Sequence, residues 1–118
     1  MNLISSKHCE PCSGETKPLE HKMIIDKLAE LQSGWELFDD NKIIQKNFKF
    51  KNFYQTMAFV NAIAWIANIE NHHPLLEISY NYCLIRYTTH AIKGLSMNDF
   101  ICAAKIDLIF QSYVETVL

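Results

Sequence analysis

Three of the five histidines in this chain, His72, His73 and His90, fall within nineteen positions, in segments that read as loops or element ends. Histidine is the side chain whose ordinary pKa lets it donate and accept protons near neutrality. Three of them converging on one cleft would serve proton transfer or ligate a metal. His72 and His73 are adjacent and precede Pro74, so their side chains leave the backbone in different directions and can grip two sides of one ligand. His90 closes the stretch Tyr87-Thr88-Thr89-His90. Simpler roles are open beside these. His72 suits a helix C-terminus, where the macrodipole favours a cation, and His73 and His90 suit polar loops. Zinc or iron could take two or three of these histidines together with Asp99. Against a metal, there is no H-E-x-x-H and no i, i+4 histidine pair, and adjacent histidines seldom ligate one ion well. Asp99 is also accounted for as the acidic member of an S-x-x-D capping box, Ser96-Met97-Asn98-Asp99. The expectation is a site without metal.

Other catalytic signatures are missing. With three glycines, Gly14, Gly34 and Gly94, the chain has no dinucleotide or P-loop fingerprint, and it has no G-x-S-x-G elbow. Chemistry at the histidines would then need no organic cofactor. Hydrophobic residues make up 49% and charged residues 20% of the 118, a globular balance. A formal charge of −2 offers no electrostatic reason to expect nucleic acid or an anionic membrane as partner. No stretch approaches the roughly 18 apolar residues of a membrane span, and the N-terminus lacks the pattern of a signal peptide. The chain reads as cytoplasmic. Lys42, Lys46, Lys49 and Lys51 interleave with apolar residues, as on an exposed strand face.

The elements that must position the histidines follow from periodicity. Residues 1–16 read as a flexible leader containing His8 and the pair Cys9 and Cys12, a C-x-x-C that alone is a weak signal for zinc or redox work. Residues 17–118 read as a single domain. Pro18 suits the first turn of a helix carrying Leu19, Met23, Leu28 and Leu31, with Gly34 as its stop. Trp35 to Phe38 and Ile44 to Phe50 predict a hairpin around Asp39-Asp40-Asn41. Asn52 is a good N-cap for a long helix with Phe53, Met57, Val60, Ala64 and Ala67 on one stripe. Glu77 to Tyr87 alternates as one long strand. The last helix has one stripe of Ala103, Ile106, Phe110, Tyr113 and Val117, with Ile101, Ala104 and Leu108 almost opposite. It therefore needs two partners, its own sheet and another subunit. The order of elements indicates an α+β fold with helices packed on an antiparallel sheet. Cys83 and Cys102 sit in apolar patterns as buried thiols.

Asn71-His72-His73-Pro74, Tyr80-Asn81, Thr88-Thr89-His90 and Gly94-Leu95-Ser96 with Asp99 together resemble the pterin-4a-carbinolamine dehydratase family. The likeness extends in weaker form from Gly34-Trp35 through Phe48 to Phe53, covering about residues 34 to 110. The C-x-x-C, the run Asp99 to Lys105 and Asn68 look more like the bacterial branch. Animal members tend to have an acidic residue at the place of Asn68, an aspartate at Asn71 and a tryptophan at Leu76.

The resemblance implies a 4a-hydroxytetrahydrobiopterin dehydratase, a hydro-lyase that converts 4a-hydroxytetrahydropterin to quinonoid dihydropterin and water. That step recycles the cofactor of phenylalanine hydroxylase and uses no cofactor of its own. It implies His72 and His90 as general acids toward the leaving hydroxyl and His73 for holding the ring and handling the N5 proton. Asn71, Pro74, Thr88, Thr89 and Ala91 would line the pterin, with Asp99 orienting His90 or Thr89. A four-stranded antiparallel sheet with three helices on one face is implied too, so the strand region must divide, with a second strand beginning near Ile85. So is a homodimer or homotetramer built on the terminal helix and sheet edges. Animal relatives also act as dimerisation partners of a homeodomain transcription factor, which makes a binding-only role the alternative from another class.

Overall fold

The computed structural model describes residues 3–117, with side chains described as far as Glu115; Val117 of the expected stripe lies outside the described side chains. Three helices, α1 (His21–Glu30), α2 (Phe53–Glu70) and α3 (Met97–Val117), pack on one sheet of β1 (Glu36–Phe38), β2 (Ile43–Lys49), β3 (Leu75–Ile78) and β4 (Tyr82–Tyr87). The strand order is β1-β2-β4-β3, antiparallel throughout, with Phe48 opposite Cys83 and Leu76 opposite Ile85. This is the α+β, four-stranded, three-helix architecture expected. Ile44, Phe48, Cys83, Ile85 and Tyr87 point from the sheet into a core closed by Phe59 and Ile63 of α2 and by Phe100 and Ile106 of α3.

The region expected to be one strand is two. Ile78 pairs with Cys83, and Ser79, Tyr80 and Asn81 turn the chain between them. A turn of this length leaves the apolar alternation unbroken, which hides it from periodicity. Two contacts from distant residues hold it: the Thr56 hydroxyl donates to the Tyr80 carbonyl at 3.0 Å, and the Phe50 N–H donates to the Asn81 carbonyl at 2.8 Å. The division falls before Tyr82, not near Ile85.

Other boundaries move for similar reasons. Pro18 precedes α1 instead of opening it, because the Leu19 N–H donates to the Leu95 carbonyl at 2.9 Å. On α1, Ile24 is buried and Met23 is exposed. Gly34 lies beyond the helix end, at φ 111° in the turn before Trp35, a conformation that favours glycine. The buried stripe of α2 is Thr56, Phe59, Val60, Ile63, Ala67 and Glu70; it keeps Val60 and Ala67 of the expected stripe, with Met57 partly buried, while Phe53 and Ala64 face out. Asn52 caps α2 as expected, its side chain accepting from the Gln55 N–H at 3.0 Å. Lys46 does not lie on an exposed face. It enters the helix side of the sheet, 2.8 Å from Asp107 Oδ1, because that carboxylate waits there for it.

Residues of the leader make specific contacts. Ile4 is buried, and the segment around it packs on α3 beside Ala104 and Leu108, part of the face for which another subunit was expected. No helix among the described residues is long and apolar enough to cross a membrane.

Candidate functional site

Helix α2 ends at Glu70, where Asn71 takes the left-handed conformation at φ 51° and its N–H bonds back to α2. Asparagine tolerates this geometry better than most residues. The reversal delivers His72 and His73 beside the end of β4, and Pro74 carries the chain extended into β3. After β4, Thr89 pairs with Gly94 across a short 3-10 turn, His90–Ile92, that presents His90 and Ala91. One open cleft of about 830 Å³ is lined by Asn71, His72, His73, Pro74, Thr88, Thr89, His90 and Ala91, with Cys9 to Cys12, Ile69, Glu70, Leu75 and Asn98 completing its walls. This is within the size range of small-molecule sites. All eight residues singled out as catalytic or pterin-lining in the sequence thus border one space. His73 and His90 are exposed in it, and His72 is half-buried.

Asp99 lies beneath the cleft, fully buried, with both oxygens used. His72 Nε2 donates to Oδ1 at 2.7 Å; the Thr89 hydroxyl and the Ser96 N–H donate to Oδ2 at 2.8 and 2.9 Å. The capping box is therefore real, and the same carboxylate orients His72 and Thr89. No bond joins it to His90. The His72 ring stacks on Tyr87, with centroids 5.4 Å apart and planes 13° from parallel. Burial works against a charged His72, but the hydrogen bond and charge of Asp99 outweigh it and hold the imidazole above its usual range. The site can therefore keep a proton on His72 near neutrality, with one ring nitrogen fixed.

Sequence reasoning missed Tyr87 as the ring support, Glu70, Asn98 and the leader as a wall. Tyr87 had a signal, an inward position at the end of a strand running into the Thr-Thr-His segment. The others depend on contacts across more than sixty residues. No group of three or more His, Cys, Asp or Glu side chains among the described residues is arranged to hold a metal ion.

Residues 17–109 match the model of the family described as pterin 4 alpha carbinolamine dehydratase. The chain belongs to this family. Similar relatives carry the pterin-4-alpha-carbinolamine dehydratase name. One from Legionella pneumophila (strain Corby) is 62% identical over 104 residues, 88% of this chain and 92% of the relative. One from Nitrosomonas europaea is 50% identical over 109 residues, 92% and 95% of the two chains. Among solved structures, the transcriptional coactivator/pterin dehydratase from Brucella melitensis superposes with a TM-score of 0.75 at 29% identity, covering 79% of this chain and 98% of that one. A pterin dehydratase-like protein identified as a RuBisCO assembly factor in the alpha-carboxysome shares the fold, with a TM-score of 0.59 at 23% identity over 66% and 90% of the two chains. The family match reaches further toward the N-terminus than the motifs alone, to residue 17, and takes in α1.

Proposed function

We propose that this dehydratase-family chain removes water from a 4a-hydroxytetrahydropterin to form the quinonoid dihydropterin, by acid–base catalysis at His72, His73 and His90. The observation that carries the reading is the Asp99-supported His72 in a cleft that two further histidines also line. The reaction needs a proton delivered to the leaving hydroxyl at C4a and a proton taken from N5. Groups titrating near neutrality serve both tasks, each typically worth about 10²–10⁴ in rate. Asp99 holds His72 with Nε2 occupied, so Nδ1 is the nitrogen that would give up the proton, and the carboxylate stabilises the imidazolium that must be present beforehand. His90, which lines the same cleft, would protonate the hydroxyl of the other 4a epimer. His73 would hold the ring and accept the N5 proton. Asn71, Pro74, Thr88, Thr89 and Ala91 would frame the pterin. No cofactor enters this scheme, and the substrate would come from a pterin-dependent hydroxylase such as phenylalanine hydroxylase. The working form would be a homodimer or homotetramer in the cytoplasm.

The test is stopped-flow absorbance of 4a-hydroxytetrahydropterin generated in situ by a hydroxylase, with catalytic amounts of chelator-treated protein. Accelerated decay is expected. Unchanged decay between about pH 6 and 8 would sink the enzymatic reading and leave the binding-only role, which the coactivator half of the Brucella protein's description favours.

A further inference from the structure

Residues Cys9 to Cys12 form one wall of the cleft, a strap with two anchors. The first is Glu70, a buried carboxylate at the end of α2. It accepts from the Cys9 N–H at 2.7 Å and faces His8 Nδ1 at 2.8 Å and Lys105 Nζ at 3.9 Å. Burial alone would raise the Glu70 pKa, but these partners pull it below the usual range, so the anchor is ionised at neutral pH. The second is Asn98 on α3, which accepts from the Glu10 N–H at 3.0 Å and donates to the Glu10 carbonyl at 2.6 Å. Between the anchors the Cys9 thiol points into the domain. Its Sγ lies 3.5 Å from Sγ of Cys102, in the second turn of α3.

We propose that Cys9 and Cys102 are a reversible disulfide site that latches the strap to α3 at the wall of the cleft, oxidised by a low-molecular-weight disulfide. A disulfide needs about 2.05 Å between sulfurs, so the pair at 3.5 Å must close by about 1.5 Å. In the reduced pair, the two sulfurs share a hydrogen bond. That bond holds Cys102 below the ordinary thiol range, against its burial, and the charge of His72 adds to it, while the proton on Cys9 is held correspondingly high. Cys102 is closed to solvent and Cys9 is half-buried, so an external disulfide meets Cys9 first. Once the shared proton passes to Cys102, the Cys9 thiolate attacks one sulfur of the small disulfide. A mixed disulfide forms, and one small thiolate leaves. Cys102 then loses its proton and attacks the Cys9 sulfur, forming the internal bond and expelling the second small thiolate. Two electrons pass to the small disulfide; the proton shared by the two cysteines ends on one released thiol, and solvent protonates the other. Excess small thiol reverses the sequence. Cys12 is the competing partner for Cys9. Its Sγ instead lies 3.5 Å from Asn98 Nδ2.

The test is covalent and therefore independent of the pterin reading. The full chain is equilibrated with oxidised glutathione, alkylated, digested without reduction and analysed by mass spectrometry. A Cys9–Cys102 cross-linked peptide is expected to predominate in the wild type and in Cys12→Ser, to vanish in Cys9→Ser and to open with dithiothreitol. Cys9 lies in the strap, so Cys9→Ser leaves the core intact. Amide exchange of residues 8–12 should slow by about tenfold or more on oxidation, because the strap can no longer lift. A predominant Cys9–Cys12 link, or glutathione held on Cys9 with Cys102 free, would overturn the latch.

Discussion

Asp99 decides what His72 can do, because its buried carboxylate is both the cap of α3 and the partner of the imidazole. The folded-state pKa of His72 is raised, so its protonated form contributes stability that is fully present below the unfolded value of about 6.5. That contribution is lost as pH rises through the higher folded value. Unfolding by urea should therefore show His72-linked stability fading from slightly acid to alkaline pH, and Asp99→Asn should flatten that part of the profile. The same substitution should cost about 1.5–3 kcal/mol at pH 6, the range for a hydrogen bond to a charged group. Retention of the wild-type pH profile would show that the pair is not what charges His72. His73 has no such second duty. It is exposed in the cleft, so His73→Ala should leave the denaturation midpoint unchanged and lower turnover of the 4a-hydroxypterin by about 10²-fold or more. Near-normal turnover would remove it from the proton path. The histidines were legible because their type and spacing are unusual. The link from Asp99 to His72 was not, because the capping motif already explained the aspartate locally and the bond spans a change of direction at Asn71.

At the scale of elements, Asp107 ties together pieces that the sequence shows only separately. From the middle of α3 it accepts from the Trp35 indole N–H at 3.0 Å, from the Gln32 N–H at 3.1 Å and from Lys46 Nζ at 2.8 Å. One carboxylate thus joins the loop after α1, the approach to β1, and β2 to the last helix. Lys46 also lies over the Phe48 ring, 4.7 Å from its centroid. Removing the acid strands a buried lysine and an indole donor together, so Asp107→Ala should cost about 3–5 kcal/mol. The pair Asp107→Leu with Lys46→Met should cost less than Asp107→Ala alone, since no buried charge is left; equal or greater loss would mean that the contact is mere packing. Periodicity found α2, β2 and α3, because each has an apolar repeat and the two helices open on the caps Asn52 and Ser96. It failed at Lys46, at Thr56 and at the Ser79–Asn81 turn. There a polar side chain answers a partner from elsewhere in the fold, and no local rule distinguishes it from a surface residue.

For the whole molecule, the question is what covers the apolar surface left outside. The chain exposes 7380 Å², against about 6,600 Å² for a compact monomer of 13.7 kDa. Part of what it exposes is large and apolar. Tyr54 is 87%, Trp65 66% and Ile69 55% exposed along α2, and Tyr54 borders an apolar groove with Ala58, Ala62, Ile109 and Tyr113. The terminal helix was expected to need a second subunit opposite the sheet. The segment around Ile4 already lies against Ala104 and Leu108 on that side, which moves the open apolar surface toward α2 and its groove with α3. An isologous contact here would place α2 against α2 of a second copy and bury Trp65, a residue type enriched among interface anchors. Sedimentation at micromolar concentration should therefore show a dimer or tetramer, and Trp65→Glu should shift it to the smaller species without changing the circular dichroism of the fold. His73 and His90 line the cleft beyond the end of α2, away from Trp65, so the dissociated Trp65→Glu form should retain turnover. A wild-type monomer, or a variant that loses helicity as it dissociates, would mean that α2 contributes to the core more than to a neighbour.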